Sequence, residues 1–369
     1  MNMRHERLLS LDVFRGITIA GMILVNSPGN ETAYWPLDHA EWNGLTPTDL
    51  VFPFFIFIVG VSLVLSLARR RERGDSPAVL MRAVTRRSLI IFALGLLLNG
   101  FPYYHLGTLR ILGVLQRIAL CYFFGAAFYL FTPAAVEIAA ALALLFGYWW
   151  LMTHVPVPGH GAGDLSKEGN LAAYLDRLLL PGHLYRPVYD PEGLLSTLPA
   201  IASVLFGNLA GAWLKSARTM TQKVNGFVQA GVLFIVIGIK WNALFPINKA
   251  LWTSSYVMAT TGLALLLFAA CYWTIEIRGW RRWGKAFEIF GVNALAAYFL
   301  HVLFLKLQNL WKLPRPDGSL GNVRLWMTDH FFSPWLSPMN ASLAYALAYT
   351  LLWLAFFALL YRRKVFIKI

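Results

Sequence analysis

SLAYALAYTLLWLAFFALL at 342–360, followed at once by YRRKVFIKI at 361–369, decides the fold class. The first part carries no charge and reaches the ~20 residues an α-helix needs to cross the hydrocarbon of a bilayer. The second part sets four cations directly behind it, the flank that marks the cytoplasmic end of a spanning helix. Working outward, the whole chain has this character. Of 369 residues, 58% are hydrophobic and 14% charged, with a mean hydropathy of +0.56. A soluble domain of this length carries about 25% charged residues. The fold class read from this is all-α: a polytopic membrane helix bundle whose first partner is the lipid bilayer.

Ten spans can be marked, roughly 8–27, 48–67, 87–103, 109–131, 134–153, 194–214, 224–241, 250–274, 286–308 and 340–361, forming a single transmembrane domain over 1–369. The net charge of +14 suggests nucleic acid at first sight, but its distribution argues for topology instead. Segments 1–7, 68–87, 215–223, 275–285 and 362–369 hold 20 of the 32 Lys and Arg residues, whereas 28–47 holds none and carries Glu31, Asp38 and Glu41. An even number of spans puts both ends on one side, and the positive-inside rule makes that side cytoplasmic. The segments 28–47, 154–193 and 309–339 are then external loops, long enough to carry function. Cys121 and Cys271 both lie inside apolar runs, so neither a disulfide framework nor a metal site is expected. MNMRHERLLSLDVFRG lacks a small-residue cleavage site and reads as a retained first helix.

Polar groups inside hydrocarbon need a partner or a task. Arg15 lies near the inner end of the first span, three residues from Asp12; it either pairs with that acid or meets an anionic ligand arriving from the cytoplasm. Gln116 and Arg117 fall inside the fourth span, Arg117 on the order of 10 Å below the outer surface. His301, counted along a straight ninth span, comes to a similar depth, with Asn293 deeper and Asn26 closing the first span. Together these suggest a polar layer towards the external face.

The most informative stretch is YWPLDHAEWNGLTPTDLVFPFF at 34–55. Thr46, Pro47 and Asp49 read as the cap, first and third positions of a helix start. His39 stands just before it, close in sequence to Trp42 and Asn43. A neutral imidazole can take a proton from an amine or hydroxyl, or can itself be acylated. Asp38, Glu41 and Asp49 are the carboxylates that could fix its tautomer, with Asp49 preferred because a helix holds it. Asn26 could hydrogen-bond a thioester carbonyl. Asp190, in Asp190-Pro191-Glu192-Gly193, could attract an ammonium group or simply make the turn into the sixth span.

SLDVFRG at 10–16, VN at 25–26, HAEWNGLTPTDLVFPFFIFIVG at 39–60, GVLQRIALCYF at 113–123, YDPEGLLSTLPAI at 189–201, INKALWTSSYV at 247–257, FGVNALAAYFLH at 290–301 and LYRRKVFIKI at 360–369 resemble, in order, the heparan-α-glucosaminide N-acetyltransferase family. The resemblance implies transfer of acetyl from cytoplasmic acetyl-CoA across the membrane to the amine of an external amino sugar. His39 matches the family's active-site histidine and Asn26 its asparagine at the end of the first core helix. Asn293 and His301 match an asparagine and histidine of a later segment. Arg15, the basic clusters at 68–87 and 275–285, and Gln116 with Arg117 are the expected cofactor contacts, with no metal. Trp42, Asn43, Asn293, His301 and Asp190 are expected on the substrate side. The resemblance further implies a homodimer and, without the extra domain of lysosomal animal members, a bacterial core-only protein of the inner membrane. O-acetylation of a surface polysaccharide and a sugar or lipid-linked glycan transporter are the competing readings.

Overall fold

In the computed structural model, residues 8–316 and 318–367 are described; the basic residues expected on the cytoplasmic side within 1–7, and Lys368, lie outside them. The described chain is mostly helical, with almost no sheet. In order, α1 is Leu9–Asn26, α2 Val51–Glu72, α3 Pro77–Gly100, α4 Val114–Phe131 and α5 Ala134–His154. A small hairpin of β1 (Pro156–Val157) and β2 (Gly161–Ala162) precedes α6 (Leu171–Leu179), and α7 (Thr197–Lys215), α8 (Met220–Trp241) and α9 (Ser254–Tyr272) follow. Then come α10 (Lys285–Val292), α11 (Ala294–Gln308), a second hairpin of β3 (Lys312–Pro314) and β4 (Leu320–Asn322), α12 (Val323–Phe331) and α13 (Pro338–Arg362). A 3-10 turn, Pro47–Leu50, runs directly into α2, and a π-turn, Trp273–Ile277, extends α9.

Each expected span falls on a helix or a helix pair, but the count changes. Among the described residues eight helices are long and apolar enough to cross a membrane, or nine if α10 and α11 are taken as one broken span. The chain is an integral membrane protein of helical type. Three expectations are corrected by local chemistry. The third span is part of α3, which starts ten residues earlier than read, because the Ser76 hydroxyl caps Val79 N (3.4 Å) and Pro77 takes the first position. Most of the basic stretch 68–87 is therefore helix, its long Arg side chains reaching water from the helix ends. The fourth span starts at Val114 rather than 109: Gly113 is extended (φ 167), and Asn99 Nδ2 donates to the carbonyls of Arg110 (2.9 Å) and Leu112 (3.1 Å), holding that segment out of the helix. The ninth is bent by 82° at Asn293. A depth counted along a straight helix therefore does not apply to His301.

The described residues form two compact units. One comprises those of 8–40, 46–52 and 271–367, the other 41–45 and 53–270. In the first, α1 lies against α10 with backbone touching backbone. A Cβ on Gly16 would sit 1.7 Å from the Phe287 carbonyl oxygen, and one on Gly291 would sit 1.9 Å from that of Asp12. Small residues are what allow such an approach, and packing rather than the hydrophobic effect then holds helices together in lipid. In the second unit, Gly60 and Gly207 bring α2 and α7 together in the same way. Asn208 on α7 ties three helices, donating to Gly125 O on α4 (2.8 Å) and Glu137 Oε2 on α5 (3.1 Å). Val228, Val232, Leu233, Val236 and Ile239 are exposed along α8, the face that lipid covers.

The glycine contacts give a paired test. Gly291→Ala is expected to lower stability by about 1–3 kcal/mol through backbone overpacking. Gly147→Ala on α5, where a Cβ meets nothing within 4 Å, should be neutral or gain roughly 0.5–1 kcal/mol. Thermal unfolding of the detergent-solubilised variants measures both, and equal responses would contradict the contact.

Candidate active site

Within the first unit, the loop after α1 returns to the start of α2 and sets His39 against Asp49. Nδ1 of His39 lies 2.6 Å from Oδ1 of Asp49. An ionised carboxylate only accepts, so Nδ1 carries the hydrogen and Nε2 holds the lone pair of the neutral ring. The imidazole is 49% exposed while the carboxylate is 1% exposed. The buried oxygen pair is well compensated. Oδ2 accepts from Thr46 N (3.1 Å), Thr46 Oγ1 (3.0 Å) and Ala40 N (3.2 Å). Thr46 Oγ1 also lies 2.6 Å from the carbonyl of Asp38, and Thr48 Oγ1 donates to that of Pro36 (3.0 Å). The capping role of Asp49 and its role as partner of His39 thus coexist, one on each oxygen.

The other predicted residues of this unit separate into exposed and internal groups. Asn26 ends α1 and is exposed. Arg15 Nη1 donates to Asp12 Oδ1 (3.2 Å) and to the carbonyl of Gly291 (3.2 Å), so it both pairs with the acid and braces α10. Asn293, at the bend, accepts from Ile367 N (2.8 Å), and its Nδ2 faces Val365 O at 3.4 Å, both on the C-terminal segment. His301 is fully buried on α11: Nδ1 donates to Ala297 O (3.0 Å), and its own carbonyl accepts from Tyr349 OH (3.1 Å). Its Nε2 has no protein partner among the described residues.

In the second unit, Trp42 and Asn43 are anchored through their side chains. The Trp42 indole donates to Leu165 O (2.9 Å), meets Tyr189 edge-on (5.3 Å) and lies under the ammonium of Lys167 (5.7 Å). Asn43 Oδ1 accepts from Asn248 Nδ2 (3.1 Å), and Gly44 N donates to Ile247 O (2.8 Å). Asp190 is not an open carboxylate. It accepts from Arg110 Nε (2.9 Å) and Nη2 (2.5 Å), and from the backbone of Tyr185 and Glu192, with Glu192 also on Arg110. Burial opposes the charge of Arg110, but these two carboxylates outweigh it and push its pKa up. Arg117, on α4, is 1% exposed; it donates to Pro191 O (3.0 Å), Gly193 O (3.1 Å) and Ser196 Oγ, with its guanidinium 5.0 Å from the centre of the Trp252 ring. Gln116 packs beside Gly95 and Gly113. No group of three or more His, Cys, Asp or Glu among the described residues is placed to hold a metal ion.

Residues 7–244 match the family model described as heparan-alpha-glucosaminide N-acetyltransferase, catalytic. The chain belongs to this family. It is 31% identical to the human heparan-alpha-glucosaminide N-acetyltransferase over an alignment covering 98% of this chain and 60% of that protein. The mouse protein of the same name gives 31% over 99% of this chain and 61% of its own length. An uncharacterised Bacillus acidopullulyticus protein is 35% identical over 24% of this chain and 27% of its own length. The chain therefore spans about 60% of the length of the mammalian relatives. The family match includes Asn26, His39 and Asp49 and stops before Asn293 and His301.

Sequence reading missed the role of Arg110 as partner of Asp190, because 80 residues separate them. It also missed Asp176 on α6. That carboxylate is buried and accepts from Leu194 N (2.8 Å); burial pushes its pKa up to about 6 from the ordinary 3.8. A raised carboxyl pKa means the folded state binds the proton more tightly, so its stabilisation is full below about pH 4 and fades as pH rises to about 6. Asp176→Asn, which keeps an acceptor oxygen, should remove this dependence. Between about pH 4 and pH 6.5 the melting temperature of the parent protein should fall relative to that variant, a loss of roughly 3 kcal/mol at most. Parallel pH profiles for the two proteins would refute the assignment.

Proposed function

We propose that this protein transfers an acetyl group from cytoplasmic acetyl-CoA to the amine of an external amino sugar, as a multi-pass enzyme of a bacterial inner membrane. The observation that carries the reading is the His39–Asp49 pair: a half-exposed imidazole held through Nδ1 by a buried carboxylate, inside the segment matched to the catalytic family model. The relatives' names supply the reaction class, and the distribution of Lys and Arg supplies the sidedness, with the loop bearing His39 external.

The chemistry follows from the tautomer. With hydrogen on Nδ1, the Nε2 lone pair removes a proton from the acceptor nitrogen as it attacks the thioester carbonyl. The carbon–nitrogen bond forms, the carbon–sulfur bond breaks, and CoA leaves as a thiolate that takes up a proton. Asp49 stabilises the imidazolium formed on the way, as the acid of a catalytic triad does. In an acetyl-histidine route the same lone pair would attack the thioester first and release CoA thiolate, and the acceptor amine would then take the acetyl from Nε2, lose its proton and regenerate the neutral imidazole. The exposed amide of Asn26 is the group we assign to the carbonyl oxygen, where negative charge develops. Arg15 is the cation assigned to the donor side. Nη1 and Nη2 of Arg117 engage the Pro191–Ser196 turn, so we assign it to holding that turn.

Purified protein given acetyl-CoA and a panel of glucosamine, galactosamine and N-acetylglucosamine should release CoA with the free amines. His39→Ala should lower this at least ~100-fold, the scale of a lost general base. Release that ignores the substitution would remove His39 from the site. Release with N-acetylglucosamine alone would identify a hydroxyl acceptor, and sugar movement without CoA a transporter. Labelled acetyl-CoA without acceptor separates the two routes, since only the acetyl-histidine path leaves label on the protein.

A further inference from the structure

The segment WTIEIRGWRRWGK at 273–285, whose cations the resemblance offered as cofactor contacts, alternates indoles with cations; the family match ends at residue 244, and the donor-side cation assigned above is Arg15. Its shape is fixed rather than loose. The π-turn ends at Ile277, Arg278 N donates to Trp273 O and Trp280 N to Thr274 O (both 2.9 Å). Gly279 reverses the chain in the left-handed region (φ 70), a conformation open to glycine at little cost. The reversal presents Arg278, Trp280, Arg281, Arg282, Trp283 and Lys285 to the exterior, with Trp280 60% exposed. The Arg278 guanidinium stacks on Trp273 at 4.7 Å, and Trp273 meets Trp280 edge-on at 6.2 Å.

The end of α13 lies alongside. Lys285 Nζ donates to Tyr361 OH (2.7 Å) and to Glu288 Oε2 (2.9 Å), and Tyr361 OH donates to Glu288 Oε1 (2.7 Å). This ties Arg362, Arg363 and Lys364, all exposed, to the same patch. Seven cations then stand against Glu276 and Glu288, and Glu276 is turned inward to accept from Ser10 N (2.9 Å). The patch occupies the ends of two membrane-crossing helices, Ser254–Ile277 and Pro338–Arg362, and the start of the broken span. Its height is therefore that of the lipid headgroups.

We propose that this patch is a binding site for anionic phospholipid, the guanidinium groups of Arg281, Arg282, Arg362 and Arg363 holding the headgroup phosphate and the indoles of Trp280 and Trp283 seated in the interface beside it. Indoles prefer that zone of the bilayer, and clustered cations beside a spanning helix attract anionic headgroups. A nucleotide shares the phosphate chemistry, and its base stacks on indoles as well, so the test separates the two sources.

The test places full-length protein in phosphatidylcholine nanodiscs doped with phosphatidylglycerol and counts retained phosphatidylglycerol by native mass spectrometry. Arg281→Gln with Arg282→Gln, and separately Arg362→Gln with Arg363→Gln, should each lower retention on the order of 10-fold. Arg82→Gln with Arg86→Gln on α3, which removes equal charge from a stretch without indoles, should leave it unchanged. Lysine at 281 and 282 keeps the charge and should restore most of the retention, which guards against a folding defect in the glutamine variant. Equal loss in the α3 control, no loss in the patch variants, or loss not restored by lysine would overturn the proposal. So would unchanged phosphatidylglycerol with weakened acetyl-CoA binding, which would give the phosphate to the nucleotide.

Discussion

The two oxygens of Asp49 have different obligations, and the candidate site depends on both being met at once. Oδ2 gathers the backbone of Thr46 and Ala40 and the Thr46 hydroxyl, which starts the second helix and ties Ala40 to it. Oδ1 holds the His39 ring. A carboxylate at 1% exposure would be costly without such partners. Three donors and the favourable field of a helix start compensate it and also immobilise it. Because it cannot turn, the imidazole it grips has a defined face and a defined tautomer. A helix cap has thus become the fixed support for a titratable ring at the loop surface.

The same economy of polar groups governs both units. Side chains in the apolar interior are satisfied largely by backbone carbonyls: Asn208 by Gly125, Arg117 by Pro191 and Gly193, and Tyr148 by Leu251 at 2.5 Å. Each of these contacts pins a turn or a helix rather than reaching out. Some buried atoms have no protein partner among the described residues, His301 Nε2, Arg117 Nε and Asn208 Oδ1 among them. Small residues do the complementary work, letting α1 meet α10 and α2 meet α7 at backbone distance, so that packing and hydrogen bonding together fix the helices where lipid gives no hydrophobic drive.

Much of this was legible in the sequence for a physical reason: hydrocarbon thickness sets a length, and length and charge can be counted. The Thr46-Pro47-Thr48-Asp49 start was legible because capping is local in sequence. What is not local was missed. The break at Asn293 has no proline or glycine at that position to announce it, and a straight helix was the natural expectation for 286–308. The early start of α3 hid behind arginines that look like loop in a composition count but snorkel from a helix. The Arg110–Asp190 pair spans 80 residues, so spacing could not reveal that Asp190 is already engaged. Naming the reaction needed resemblance throughout, since one loop histidine near acids fits several chemistries.

The central claim, that Asp49 fixes His39 with hydrogen on Nδ1 and the lone pair on Nε2, can be read directly by nuclear magnetic resonance. Protein labelled with 15N at its eight histidines is compared with a His39→Gln sample, so that the difference isolates one ring. For the neutral ring of His39 the account predicts a pyrrole-type Nδ1 and a pyridine-type Nε2. A ring with its hydrogen on Nε2, or one averaging between both forms as in free imidazole, would contradict it.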